Sequence, residues 1–427
     1  MRYFAYFIRT LSVLFCLQCV QSVALAKVSA SESTWLQSAD PASMDIYLIT
    51  VGLGPSLDSR FGHTILRFVD RQSGRDRVMN WGTFDFSDPW FYVNFVRGKM
   101  RYWLSVDNTQ DFLTWYGHHY GRNVFQEKLE LNLAQKLILT QAVAENLKEE
   151  NVYFWYDFFF NNCSTIPRDL INKALSGQIE IFAKQHPAEK NLRAYVRENL
   201  NYPDPLAWML DILLNSRVDV PVTWWEEMFY PAKLREYLLA FRVKASSPSG
   251  EAPLLSSTEV LVQGQPFPPH DSTLYPYLTF SGLVLSMLVF FLMRKSETRW
   301  MARWLFIPLS LFWGLVSVIL SLLMLLGWLA SEHKLLYHNP HLLLFWPTDL
   351  IWVFSAFHFG GKRRSKGQFD FRHSLHRLLI SYSSLHLVAV AIFLGLFFIN
   401  YFDQNLIRTV LYIVPIHLFF LLLHRIR

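Results

Sequence analysis

Cysteine is nearly absent from this chain, with 3 in 427 residues, and two of them, Cys16 and Cys19, lie in the opening segment. That segment, MRYFAYFIRTLSVLFCLQCVQSVALA, has a positive start at Arg2 and Arg9, an apolar run, and small residues Ala24 and Ala26 before Lys27. This is the pattern of a cleavable secretory signal. Neither early cysteine has the small-residue context of a lipid-attachment site, so cleavage is expected after Ala26. Cys163 would then be the single thiol of the exported chain, which excludes an internal disulfide and any four-cysteine zinc site. Other chemistry is also missing. VGLGPS has two glycines and no helix signature after it, so it reads as a turn, not a phosphate loop. His118 and His119 are neighbours, expected on opposite faces of one strand, and no third ligand is evident. No cofactor and no metal are expected, and there is no internal repeat.

Apolar residues are plentiful and unevenly spread. After residue 270 come five apolar stretches, at roughly 274–293, 304–329, 342–359, 378–399 and 406–423, each near the ~20 residues a helix needs to cross a bilayer. The loops RKSETRWMAR and GKRRSKGQFDFRHSLHR and the tail HRIR are rich in Lys and Arg. SEHKLLYHNPH and NYFDQN carry one Lys and no Arg. Positive loops stay in the cytoplasm, so the C-terminus is expected there and everything before the first span outside. The expected location is a bacterial inner membrane with a periplasmic N-terminal part. The net charge of +6 then needs no nucleic-acid partner, because many of the basic residues set topology. Asp349, beside Pro347 in LLLFWPTDLIWVF, is costly at membrane depth unless paired or facing a cavity; a functional role and a place near the outer interface are both open.

The expected divisions are a signal peptide at 1–26, an exported domain at 27–245, a Ser/Pro/Gly-rich linker at 246–272 and a five-span membrane domain at 273–427. Within the exported domain, DIYLITVGL, HTILRFVD, DRVMNWGTF and NVFQEKLEL read as strands. AQKLILTQAVAENLKEEN and STIPRDLINKALSG read as helices, the second stopping near Gly177, with more helices to about 243. The fold class is therefore α+β with a helical extension.

Cys163 lies in NNCST, after the aromatic run YFWYDFFF and before a helix. A lone exported thiol is either an inert buried side chain or a reactive one. Reactivity requires a base, a group to orient that base, and donors for an oxyanion. His63 in RFGHTILRF is the candidate base, although a structural histidine is the bland alternative. Asn80 on the next strand is the candidate orienting residue. A helix start would favour a thiolate and offer free N–H groups. Asp85 and Arg122 could pair or bind a headgroup, or be structural. Trp224, Trp225, Met228 and Phe229 could pack in the core or form a lipid-facing lip.

The chain order His63, Asn80, Cys163 resembles the circularly permuted papain-like group (NlpC-type), which includes lecithin:retinol acyltransferase. Over a longer span, GHTILRFVD, NWGTFDFSDPWF, FVRGKMRYWL, YDFFFNNCSTIPRDLI and VDVPVTWWEEMFYPAKL resemble the N-terminal periplasmic domain of the Bacteroides-type lipoprotein N-acyltransferases, and the five-span tail resembles that family's membrane domain. The resemblance implies catalysis by Cys163 and His63. Asn80 is assigned from the strand order of the wider permuted group. The implied reaction moves an acyl chain from a membrane phospholipid, through a Cys163 thioester, to the α-amino group of a lipoprotein. Two other functions compete: a thiol hydrolase of cell-wall peptides or lipid esters, and a non-enzymatic membrane sensor or binding protein.

Overall fold

The computed structural model describes residues 30–56, 58–200, 205–244, 250–265, 267, 284, 299–360, 367–399 and 407–425. The expected signal peptide and nearly all of the first expected span lie outside these residues. The chain forms two compact units, Met1–Ala188 with Val222–Pro268, and Glu189–Pro221 with Pro269–Arg427.

The first unit is α+β. After helix α1 (Ala30–Ser38) come strands β1 (Met44–Val51), β2 (His63–Asp70) and β3 (Arg75–Thr83), helix α2 (Phe91–Arg97), and strands β4 (Arg101–Asn108) and β5 (Val124–Lys128). Helix α3 (Leu133–Asn146), strand β6 (Tyr153–Trp155), helices α4 (Thr165–Ala174), α5 (Trp224–Glu227) and α6 (Pro231–Ala240), and strands β7 (Arg242–Lys244), β8 (Glu251–Pro253) and β9 (Glu259–Val262) follow. Seven strands make one antiparallel sheet in the order β6-β4-β3-β2-β1-β5-β9, and β7 and β8 pair separately.

Alternation along the strands decides the two faces. Ile46, Leu48, Leu66, Phe68, Met79 and Trp81 point to one side, where they pack with residues of α1, α3 and α4. Ile49, Val51, Ile65 and Val78 point to the other, against Phe112, Val124 and Val262. Each fully buried aliphatic or aromatic side chain contributes about 1.5–3 kcal/mol. By the same alternation His63 and Asn80 belong to the second face. Helix α3 opens on a capping box in which Asn132 Oδ1 accepts from Gln135 N and Gln135 Oε1 accepts from Asn132 N.

Two secondary-structure readings in the first unit need correction. Residues 251–262 contribute β8 and β9 where composition suggests only a linker, because β9 is held by pairing with the distant β5. His118 and His119 lie in a π-helical segment, Thr114–His119, not on a strand; the ring of His119 stacks on Trp115.

In the second unit, the buried Arg193 guanidinium gathers Asp211 and Asp219. Asn215 Nδ2 donates to the carbonyls of Lys334 and Tyr337, and Asn339 Nδ2 donates to those of Ile212 and Leu213. These bonds explain why residues 189–221 pack with the C-terminal part of the chain. Helices α7 (Arg299–Leu329) and α9 (Gly367–Phe398) contain segments long and apolar enough to cross a membrane, Ile307–Leu329 and Ser374–Phe398. The third expected span is instead broken. Short 3-10 turns at Pro340–Leu343 and Pro347–Asp349 precede helix α8 (Leu350–Gly360), so the regular helix begins only at Leu350. The fifth stretch is helix α10 (Ile407–Arg425), with Pro415 inside it.

Candidate active site

His63 is the first residue of β2, and Asn80 lies on β3. The regular β2–β3 ladder runs from Asp70↔Arg75 to Leu66↔Met79, and β3 then shifts register against β4 between Asn80 and Thr83. Such an irregularity re-aims side chains. Here it lets Asn80 Oδ1 accept from Gly82 N at 2.9 Å and from His63 Nε2 at 2.8 Å. A backbone N–H can only donate, so the Asn80 atom it meets is the oxygen. His63 must therefore donate from Nε2, which leaves the lone pair on Nδ1.

Gly82 makes room for this ring. A Cβ added there would lie 2.3 Å from His63 Cε1, 3.0 Å from Nε2 and 3.2 Å from Asn80 Oδ1. Gly62, just before His63, has φ +80° and would place a Cβ 2.9 Å from the Val51 carbonyl, so both the conformation and the space favour glycine. Tyr116 stacks on the imidazole with centroids 5.8 Å apart. Burial lowers the His63 pKa to about 4, against the opposing bond from Asn80, and the Arg122 charge pushes the same way. The ring is neutral at ordinary pH.

Cys163 is the turn residue before α4, and the rest of NNCST holds that turn. Asn162 Oδ1 accepts from Ser164 N and Thr165 N, both at 2.8 Å, while its Nδ2 donates to the carbonyls of Phe158 and Phe229. Thr165 Oγ1 accepts from Asn162 N, and Ser164 Oγ donates to the Met228 carbonyl. The first-turn N–H groups of Ser164 and Thr165 are thus already taken, so they are not free for an oxyanion. The thiol is half-buried. Burial raises its pKa to about 11, while the amides of Thr64 and of Cys163 itself, with the Arg122 charge, act in the opposite direction. A thiolate favoured by the helix start is therefore corrected to a resting neutral thiol, because desolvation outweighs the nearby dipoles. The sulfur is within hydrogen-bonding reach of the backbone amide of Thr64, the residue after His63. The structure thus gathers residues 63, 80 and 163 at one end of β2 and β3.

Arg122 belongs to this site, a place its sequence context did not reveal. Its Nε donates to the Gly52 carbonyl at 2.8 Å, its Cζ lies 5.6 Å from the Tyr116 ring, and its buried Nη2 has no partner among the described residues. Asp85 does not pair with it; Asp85 Oδ1 accepts from Ser87 N and Oγ. Trp224 stacks on His186 and Tyr237, and Met228 and Phe229 are buried, so this segment packs in the core. Among the described residues no group of three or more His, Cys, Asp and Glu is arranged to hold a metal ion.

A thiol, an imidazole bonded to the Asn80 amide and a buried guanidinium thus lie on this α+β domain. Residues 31–196 match the family described as the Lnb N-terminal periplasmic domain, a finding that supports an Lnb-like family. No curated protein and no solved structure matches the chain. The match and the two membrane-capable helices fit a membrane protein with a periplasmic N-terminal region.

Proposed function

We propose that this protein is a membrane-bound thiol acyltransferase of circularly permuted papain-like type, acting between a phospholipid and the α-amino group of a lipoprotein N-terminal cysteine. The observation that carries the reading is the His63–Asn80 bond, which leaves Nδ1 of a neutral imidazole as the base in the neighbourhood of Cys163. In the first half-reaction Nδ1 takes the thiol proton as sulfur attacks the ester carbonyl. Collapse of the tetrahedral adduct breaks the ester C–O bond, and His63 returns the proton to the lysophospholipid oxygen. In the second, the amine attacks the thioester, His63 takes its proton and gives it to the departing thiolate, and an amide is released. Arg122 supplies positive charge to the thiolate and the oxyanion.

An aromatic track supports a lipid substrate. Tyr102 and Tyr156, both close enough to Cys163 for its charge to act on their hydroxyls, stack on each other at 4.2 Å, and Tyr102 stacks on Phe84 at 4.7 Å. Phe84 meets Phe86 and Phe91, and beside them Phe86, Trp90, Val93, Phe95 and Val96 are exposed. A grouping of this kind marks an interaction surface, and an acyl chain suits it. Exclusion of water along the track would prolong the thioester until an amine arrives.

The test is to give acyl-loaded protein a peptide bearing an N-terminal diacylglyceryl-cysteine. Amide formation on that peptide, absent with Cys163→Ala, is the expected result. Steady release of free fatty acid with no acylated peptide would make the protein a hydrolase.

A further inference from the structure

One end of the seven-stranded sheet carries His63 and Asn80, and the strand register shows what else lies there. β3 leaves that end at Thr83 and runs on through Phe84 and Phe86 into α2. β9 arrives there too: Val262 lies opposite Val124, Val124 opposite Val51, and Val51 opposite His63. The chain's last exit from the first unit is therefore at the His63 end, and the second unit, which holds both membrane-capable segments, resumes at Pro269. From Val262 to Pro269 the chain reaches at most about 25 Å. The β2–β3 turn is at the other end, since β3 (Arg75–Thr83) rises about 26 Å at ~3.3 Å per residue.

The segment that follows β3 turns its apolar side chains outward. Trp90, Val93 and Val96 come at three-residue spacing on successive turns of α2, and all are exposed, Trp90 by 65%. Phe86 is exposed just before them, while Phe91 is half-buried and stacks on Phe84 at 5.9 Å. A helix that packs its own face inward shows solvent the polar side; α2 shows it the apolar one. Charge at this end is basic where it is free to act. Arg97, in the last turn of α2, and Arg101, at the start of β4, are exposed, whereas Asp85 and Asp88 are turned to the backbone N–H groups of Ser87 and Trp90. Trp155, opposite Arg101 on the edge strand β6, is exposed as well. Outward aliphatic and aromatic side chains rimmed by Arg are the composition of a segment that lies in the boundary between headgroups and acyl chains.

We propose that Phe86, Trp90, Val93 and Val96 dock this end of the first unit on an anionic lipid bilayer, with Arg97 and Arg101 at the headgroups. The stack of Phe84, Tyr102 and Tyr156 then leads from the bilayer toward Cys163, so that a lipid reaches the thiol without carrying its acyl chain through water. Docking needs no turnover, and it stands whether or not acyl transfer is the reaction.

The test uses full-length protein with its native cysteines replaced by Ala, held in nanodiscs containing phosphatidylglycerol. One thiol at a time is introduced by Val93→Cys, Val96→Cys or, in the exposed β2–β3 turn, Gln72→Cys, and is labelled with an environment-sensitive fluorophore. Nitroxide is then placed on the lipid acyl chains. Labels at 93 and 96 should emit to the blue and lose most of their intensity to the nitroxide, and the label at 72 should do neither. Adding Arg97→Glu should reduce the loss at 93. Emission at 93 and 96 that survives the nitroxide as it does at 72 overturns docking. Blue-shifted emission that the nitroxide does not quench means that protein, not lipid, covers the face, and overturns it equally.

Discussion

Gly82→Ala is the most specific perturbation the site offers, because its effect should reach chemistry through one ring. Carbon atoms in contact settle near ~3.5 Å, whereas the new methyl would start 2.3 Å from His63 Cε1. The imidazole must therefore retreat by roughly 1.2 Å or rotate away. Either movement breaks its bond to Asn80 and takes Nδ1 from its position. A misplacement of about 1 Å costs on the order of 10²-fold in rate, while overpacking costs roughly 1–3 kcal/mol of stability. The assay is the single-turnover rate of Cys163 acylation by phospholipid vesicles, alongside thermal unfolding of the purified protein. Gly74→Ala is the control, since no atom lies within 4 Å of its Cβ position although its φ is +71°. A folded Gly82→Ala protein that acylates at the wild-type rate would refute the placement of His63 as the base.

Other outcomes follow from the same geometry. With its pKa raised to about 11, the thiol should react with iodoacetamide ever faster as pH rises, about tenfold per unit from 7 to 10; a plateau beginning near pH 5 would mean a thiolate–imidazolium pair instead. His63→Ala should lower the acylation rate by about 10²–10⁴-fold and Asn80→Ala by less, and adding His63→Ala to Cys163→Ala should cost nothing further; additive losses would contradict a shared step. Reporter fusions after Arg303 or Lys366 should read cytoplasm and those after His333 or Asp403 periplasm; a periplasmic signal at Lys366 would reverse the topology.

The parts of the fold readable in the sequence are those fixed by local pattern. The first three strands and β5 show their alternation or apolar runs plainly, and AQKLILTQAVAENLKEEN shows α3 as a helix, though not its Asn132 cap. Strand β9 was not readable, since TEVLV sits among Ser, Pro and Gly and is a strand only because β5 offers an edge. Nor was the association of residues 189–221 with the C-terminal unit, which rests on Arg193 and Asn215 meeting distant carbonyls and carboxylates. Hydropathy merges 342–359 into one span because it does not register the turn that Pro347 and Asp349 impose. At the site, residue type and order point to positions 63, 80 and 163. The place of Gly82 depends on a strand irregularity, that of Arg122 on a fold-back to Gly52, and the raised thiol pKa on burial. None of these leaves a local mark.

The central claim is a covalent acyl-enzyme on Cys163. Purified protein incubated with phospholipid and no acceptor, then digested and weighed by mass spectrometry, should carry one acyl mass on the peptide containing Cys163. Hydroxylamine should remove it, as it does a thioester. An unmodified Cys163 peptide in protein that nonetheless transfers or releases acyl chains would contradict the claim.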